Sequence, residues 1–317
     1  MTLNELRYIV AVARERHFGK AADSCHVSQP TLSVAVRKLE DELGVTLFER
    51  RKGEVSVTPI GEQIVGQAQR VLEEVGAIRQ TAEQGKDQLA GPLRLGAIYT
   101  IGPYLLPHLI PNLAKTAPQM PLVVEENYTA VLSERLRQGE LDVVIISLPF
   151  DEPGVRTLPL YEEPFVLLIP SSHPLNQYDE VEVDQLKDED VLLLGSGHCF
   201  RDQVLEVCPD CLAKRGSDGR PRQFLESSSL ETIRYMVASG LGVTVLPCTA
   251  AGAERFSERL LKVKRFAGKP PSRVVALAWR KSFPRPEAVN AVREAILRAP
   301  LSCIRPLDQP RTLSPDH

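Results

Sequence analysis

Between Thr58 and Gly85 apolar residues recur at Ile60, Ile64, Ala68, Val71, Val75, Ile78 and Ala82, at spacings of three and four. That is the seam of a coiled coil, and Thr58-Pro59 supplies a cap followed by a residue that tolerates the first helical turn. The spacing predicts one helix of roughly 25 residues, some 37 Å long at about 1.5 Å per residue. The short segment before it is too small to cover such a helix, so a second subunit is the expected cover. The helix also divides the chain: residues 1–58 precede it, 59–90 form it and its exit at Gly91-Pro92, and 91–300 make a larger region. Residues 301–317, rich in proline, are expected to be a disordered tail.

The larger region is long enough for two small cores, and 43% of the 317 residues are hydrophobic. The six cysteines are too few for a disulfide scaffold. The start Met-Thr-Leu-Asn-Glu-Leu lacks the basic-then-apolar pattern of a signal peptide. A cytoplasmic protein with reduced thiols is expected. The longest apolar runs are far shorter than the roughly 20 residues that span a bilayer, so no membrane insertion is expected. With a net charge of −3, any contact with nucleic acid must come from a local patch.

Residues 3–15 carry one apolar face at helical spacing, from Leu3 and Leu6 to Ile9 or Val10 and Ala13. A short helix follows over Gly19–Cys25, then the turn His26-Val27-Ser28. Ser28 can cap a third helix whose Pro30 sits where its missing donor is harmless. Leu32, Val36, Leu39 and Leu43 form its buried stripe. The opposite face presents Gln29, Ser33 and Arg37, with Thr31 beside them, residue types that contact base edges and phosphates. Two helices around a tight turn, the second opening in polar residues, make a helix-turn-helix. Leu47–Arg50 and Glu54–Thr58 then alternate as strands around Arg51-Lys52-Gly53, a basic wing in which Arg50 and Arg51 can reach the DNA backbone. The segment is barely positive, with nine Lys/Arg against eight Asp/Glu over residues 1–58.

From Leu93 onward short apolar runs alternate with helical stretches. Strands are expected at Leu93–Ala97, Leu122–Glu125, Val143–Ile146, Phe165–Ile169, Val191–Leu194, Val243–Leu246 and Val274–Ala278. Helices are expected at Pro103–Ala114, Val131–Gln138, Phe200–Val207, Leu230–Ser239 and Arg285–Leu297. This alternation implies a two-lobed α/β region with largely parallel sheets. Ligands in such folds bind beyond the carboxyl ends of strands, where Thr100 and Thr129 fall; each could equally cap the helix that follows.

Phe18-Gly19-Lys20-Ala21-Ala22, Val27-Ser28-Gln29-Pro30-Thr31-Leu32-Ser33, Lys38-Leu39-Glu40-Asp41-Glu42-Leu43-Gly44 and Leu47-Phe48-Glu49-Arg50 resemble the LysR-type transcriptional regulators, over nearly the whole chain. That resemblance implies a winged helix-turn-helix, a linker helix and a two-lobed regulatory domain resembling periplasmic binding proteins. Gly197-His198-Cys199-Phe200-Arg201-Asp202-Gln203 with Cys208, Gly102-Pro103-Tyr104-Leu105-Leu106-Pro107 and Ser229-Leu230-Glu231-Thr232 look most like the members that sense hydrogen peroxide. Several properties follow from the resemblance alone: a homotetramer on double-stranded DNA, activation of peroxide-defence genes through RNA polymerase, and no cofactor. So do the roles of Cys199 as the sulfur oxidised first and Cys208 as its resolving partner. Thr100, Thr129 and His198 match positions lining the peroxide pocket, and Arg273 matches a basic residue near the reactive sulfur.

The chemistry of the cysteines can also be argued directly. A thiolate attacks peroxide, so a sensor cysteine needs solvent access and a positive setting. The turn Gly195-Ser196-Gly197 opens a helix whose positive end would hold Cys199, with His198 and Arg201 close by. If Phe200–Val207 is helical in the reduced state, Cys199 and Cys208 stand about 13 Å apart along the axis, whereas a disulfide needs less than about 7 Å. Oxidation must then break the helix, a local change able to move a whole lobe. Cys208-Pro209-Asp210-Cys211 adds a complication, because Cys211 can replace Cys208 as the resolving thiol or compete for it. His198, Cys199, Cys208 and Cys211 are also a permitted zinc set, though with a single Cys-x-x-Cys, and no metal is expected. Cys199 as a mere buried small residue is the bland alternative. Cys25 and Cys248 read as core fillers, and Cys303, in the tail, as having no role. Two other functions compete: a regulator that binds a small metabolite between its lobes, with Thr100, Thr129 and Ser227-Ser228-Ser229 gripping a carboxylate, and a thiol peroxidase. An enzyme would not need the reading helices.

Overall fold

The computed structural model describes residues 1–51, 54–84, 87–209, 225–252 and 259–307, and of Arg50, Arg51, Glu54 and residues 79–84 only the backbone. The chain divides into two compact units, Met1–Lys86 and, in the main, Asp87 onward.

In the first unit, α1 (Leu3–Glu15) starts with a capping box in which Thr2 and Glu5 satisfy each other's backbone amides, and it buries Leu6, Ile9 and Val12. The α2 helix (Phe18–Ser24) is capped by His17, and α3 (Gln29–Leu43) by Ser28, whose hydroxyl oxygen accepts from the Thr31 amide at 3.3 Å. Leu32, Val36 and Leu39 are wholly buried. Leu43, expected to complete that stripe, is 38% exposed, because Gly44 turns the chain left-handed one residue later and ends the helix. Strands β1 (Phe48–Arg51) and β2 (Glu54–Val57) pair antiparallel from Phe48 opposite Val57 to Arg51 opposite Glu54. Glu40 on α3 fastens this wing, its Oε1 accepting from the Leu47 and Phe48 amides at 2.7 and 3.1 Å. The long helix is α4 (Pro59–Gln84). Ala68 is buried in the unit's core with Ile64, Val65 and Leu72 packed beside it, while Ile60, Val71 and Ile78 remain exposed.

The second unit begins with β3 (Leu93–Ile98), α5 (Gly102–Thr116), β4 (Leu122–Asn127), α6 (Thr129–Arg137), β5 (Val143–Ser147) and β6 (Val155–Pro170). After β7 (Glu180–Val181) and β8 (Leu193–Leu194) come α7 (Cys199–Val207), β9 (Glu226–Ser227), α8 (Leu230–Ala238) and β10 (Thr244–Pro247). Last are α9 (Cys248–Ala251), β11 (Leu261–Phe266), β12 (Ser272–Arg280), α10 (Pro286–Leu297) and β13 (Arg305–Pro306). Two hydrophobic cores define two lobes. Lobe 1 gathers β3, β4, β5, β12, α5 and α10, and lobe 2 gathers the end of β6 with β10, β11, α7 and α8.

The sheets are mixed and not largely parallel. β3 runs parallel to β4 and β5, but β12 is antiparallel to β5 and β6, and β10 and β11 are antiparallel to β6. The reason is β6, which runs for 16 residues where the sequence suggested only Phe165–Ile169. Its first part pairs with β12 in lobe 1 and its last part with β10 and β11 in lobe 2, so one strand serves both lobes. Residues 301–307 are also not a loose tail. Leu301 and Ile304 pack on the core of lobe 1, Cys303 on that of lobe 2, and β13 pairs with β6. Burial of these apolar side chains and the strand pairing hold the segment despite Pro306. Residues 308–317 lie outside the described residues.

Candidate functional site

Two places in the chain concentrate the side chains singled out by sequence. The first is the outer face of α3. Ser28, Gln29, Pro30, Thr31 and Arg37 are all exposed and Ser33 is half-buried, on the side opposite Leu32, Val36 and Leu39. Polar donors and a guanidinium thus stand together at the start of a helix whose other face is fully packed. The wing follows at β1 and β2, where Arg50 and Arg51 are described by their backbone alone.

The second place is the seam between the lobes of the second unit. Cys199 is the first residue of α7, at the positive end of the helix dipole, and is a free thiol. Its backbone belongs to lobe 2, where its neighbour Phe200 is buried against Phe165 with ring centroids 5.0 Å apart. Its own side chain is half-buried and packs against the core of lobe 1. One turn further along the same helix face, Gln203 Nε2 donates to Ser147 Oγ at the end of β5, at 2.8 Å. The start of α7 therefore grips the opposite lobe by one sulfur and one hydrogen bond.

Gly197 prepares this start with φ of +96°, and a Cβ there would come within 3.3 Å of the Tyr128 ring. His198 follows, its ring 4.7 Å from Tyr128 and 5.9 Å from Tyr99. Since Tyr128 immediately precedes α6, the beginnings of α6 and α7 lie side by side. Burial holds the His198 imidazole below its usual pKa, partly offset by a hydrogen bond with the Ser228 backbone, so the ring is neutral at pH 7. Among the described residues, His198 Nε2 and Thr129 Oγ1 are both buried without a hydrogen-bond partner. Such atoms are costly unless something polar visits them.

Arg273 lies beneath this seam. Its Nε meets Glu163 Oε2 at 2.7 Å, its two terminal nitrogens donate to Thr100 Oγ1 and Thr100 O at 2.8 Å each, and its Cζ sits 5.3 Å from the centre of the Phe200 ring. Glu163 also accepts from the Thr249 hydroxyl and amide. The guanidinium thus ties Thr100 of lobe 1 to the residue next to Cys199. Arg201 does something else. Two residues past Cys199, it points around the helix by about 200°, and its Nη1 donates to Leu194 O and Glu226 Oε1 at 2.6 Å each.

Thr100 and His198 line a cleft of about 410 Å³ between the lobes, with Tyr99, Tyr104, Tyr128 and Glu231. Tyr104 donates to Glu231 Oε1 across it at 2.7 Å. Thr129 and Cys199 are not among its lining residues. Gln203, Ser147 and Glu163 were not singled out from sequence. Gln203 could have been, because it stands four residues after Cys199 on a predicted helix; the buried Glu163 leaves no comparable signal.

The cysteines differ most from expectation. Cys25 is free and half-buried beside the first unit's core, but Cys248 and Cys303 are joined in a disulfide. Cys208 is also disulfide-bonded and so is not the free neighbour expected for Cys199. Cys211 lies outside the described residues, and among those described no three His, Cys, Asp or Glu residues gather as metal ligands.

Residues 3–62 match the bacterial regulatory helix-turn-helix protein, LysR family, and residues 86–300 match the LysR substrate binding domain. The chain belongs to the LysR family. This LysR-family chain is 41% identical over 297 residues to the DNA-binding transcriptional dual regulator OxyR of Escherichia coli K12, covering 93% of the chain and 95% of the relative. Its fold is similar to a full-length OxyR structure from Pseudomonas aeruginosa, at a TM-score of 0.76 and 54% identity over 98% of this chain and 99% of that one. A hydrogen-peroxide-bound OxyR variant from Corynebacterium glutamicum is similar over 94% and 92% of the two chains, with a TM-score of 0.61 and 33% identity.

Proposed function

We propose that this LysR-family regulator binds double-stranded DNA and responds to hydrogen peroxide through Cys199. What carries the reading is the placement of a free cysteine at the first position of α7, pressed against the opposite lobe, with Gln203 bonded to Ser147 beside it. The thiolate of Cys199 attacks one peroxide oxygen, the O–O bond breaks, a sulfenic acid forms, and the departing hydroxide takes up a proton to become water. A resolving thiolate, Cys208 in this reading, then attacks the sulfenic sulfur, and hydroxide leaves as water when protonated. With α7 helical, the two Cα atoms stand about 13 Å apart along the axis, so the disulfide requires α7 to unwind and to release Ser147. Cys208 must first be freed from its present bond.

The exposed face of α3, Ser28, Gln29, Thr31, Ser33 and Arg37, is the proposed base- and phosphate-contacting surface, with the Arg50 and Arg51 wing on the flanking backbone. Exposed Ile60, Val71 and Ile78 favour dimerisation through α4, which would present two reading helices to two half-sites. The assembled regulator is a homotetramer that engages RNA polymerase to activate oxidative-stress genes from the cytoplasm. The relatives named "Hydrogen peroxide-inducible genes activator" support the activation of peroxide-responsive genes. Peroxide is consumed once per oxidation and not turned over as by an enzyme.

Footprinting full-length protein on its operator, with reductant and then with micromolar peroxide, tests this. The footprint and transcription should change in the natural protein and stay in the reduced pattern in Cys199→Ser. The cleft beside Tyr104 and Glu231 favours a second reading, a metabolite-responsive regulator, and there Cys199→Ser would respond as before.

A further inference from the structure

The Cys248–Cys303 disulfide joins two parts of the regulatory unit that are 55 residues apart in sequence, with Cα atoms 6.1 Å apart, inside the range a relaxed disulfide occupies. Cys303 lies in a strap that leaves α10 on lobe 1, where Leu301 and Ile304 pack, and reaches the core of lobe 2. It then returns to β6, with the Leu307 amide bonded to Leu160 O at 3.0 Å. Cys248 opens α9 on lobe 2. The bond therefore fastens a strap anchored on one lobe to a helix of the other. Both cysteines line an open cleft of about 490 Å³ with Pro103, Pro107 and His108. Cys303 is the more exposed of the two.

The residue after Cys248 starts a chain of contacts that ends at the sensor thiol. Thr249 donates to Glu163, Glu163 pairs with Arg273, and Arg273 holds Thr100 and stacks on Phe200, the residue next to Cys199. We propose that Cys248 and Cys303 form a second thiol–disulfide couple, closed by hydroperoxide independently of Cys199, which clamps the strap and lowers the accessibility of Cys199. In the closing step the Cys303 thiolate attacks a peroxide oxygen, the O–O bond breaks, a sulfenic acid forms, and the departing hydroxide takes up a proton to become water. The Cys248 thiolate then displaces the hydroxyl, which leaves as water once protonated. Two thiols are oxidised by two electrons and one peroxide is reduced to two waters. A dithiol reopens the bond by exchange, passing through a mixed disulfide.

Peroxide as the oxidant rests on the proposed function, but the test does not need Cys199 to react with peroxide. Full-length Cys199→Ser protein is reduced with dithiothreitol, desalted, treated with hydrogen peroxide, alkylated and mapped under non-reducing conditions. A linked Cys248–Cys303 peptide pair that dithiothreitol removes from the native protein is expected. No pair after peroxide, or a pair that dithiothreitol clears only after unfolding, overturns the couple. In a second arm, iodoacetamide labels Cys199 in the otherwise natural chain with the bond closed, and in Cys303→Ser and Cys248→Ser proteins. Labelling at least threefold faster in both variants is expected, and equal rates overturn the clamp. If Cys199 ignores peroxide throughout, the proposed function falls while both arms still decide whether the couple and its clamp exist.

Discussion

Arg273 Nε lies 2.7 Å from Glu163 Oε2 in a pair shut off from solvent on both sides, and the same guanidinium reaches Thr100. A charge buried this deeply is tolerable only while its partner is present. Replacing Arg273 by Met strands the Glu163 carboxylate and is expected to cost about 3–5 kcal/mol in urea unfolding. The double variant Arg273→Met with Glu163→Leu removes both charges and should recover at least half of that loss. A double variant no more stable than the single one would mean that the cost lies in the grip on Thr100 and not in the unpaired charge.

Gln203→Ala deletes the bond to Ser147 that holds α7 to lobe 1. A hydrogen bond of this kind is worth about 1 kcal/mol, roughly a fivefold change in an equilibrium. If unwinding of α7 precedes resolution, a disulfide at Cys199 should form about that much faster after a peroxide pulse. Ser147→Ala should act in the same direction, and the two changes together should add little, since both remove one bond. Quenched-flow alkylation with peptide mapping measures it.

How far the sequence foretold these contacts depended on whether a signal is local. The reading helix was legible because Ser28, Pro30 and the stripe Leu32, Val36, Leu39 all lie within a few turns. The position of Cys199 at a helix start was legible for the same reason, from Gly197 and the apolar period after it. Arg201 misled because proximity in sequence is not proximity in space: on a helix two residues point nearly opposite ways. The Glu163–Arg273 pair spans 110 residues and the Cys248–Cys303 bond 55, and no periodicity reports such pairings. The proline-rich composition of the end of the chain suggested disorder, but Leu301, Cys303 and Ile304 find two cores that only the folded lobes create.

The neutral state of His198 predicts a pH dependence. Burial lowers its pKa in the folded protein below the ordinary 6.5, so the unfolded chain takes up a proton first as pH falls. Stability therefore rises with pH in that interval, and acidification from pH 7 toward 5 should erode it progressively. His198→Gln, which cannot titrate, should flatten this part of the curve. Thermal unfolding of both proteins across the same pH range checks it, and parallel curves would assign the loss to other groups.

Cys208 and Cys211 can be separated by substitution. Cys208 closes the C-terminal end of α7, its amide bonded to Val204 O at 2.9 Å, and its sulfur is occupied in another disulfide. A sulfenic acid at Cys199 becomes a disulfide only by attack of a thiol, so an occupied Cys208 must be reduced before it can serve. Cys211→Ser removes the neighbour with which the Cys-x-x-Cys spacing would pair it, leaving Cys208 free. Peroxide should then give a Cys199–Cys208 peptide pair as the main product without prior reductant, while the natural protein should give it in quantity only after reduction. Cys208→Ser should leave Cys199 as sulfenic acid, detectable by a dimedone adduct. Should Cys208→Ser instead yield an internal disulfide at Cys199, Cys211 is the resolving thiol, and the segment that must rearrange extends past the end of α7.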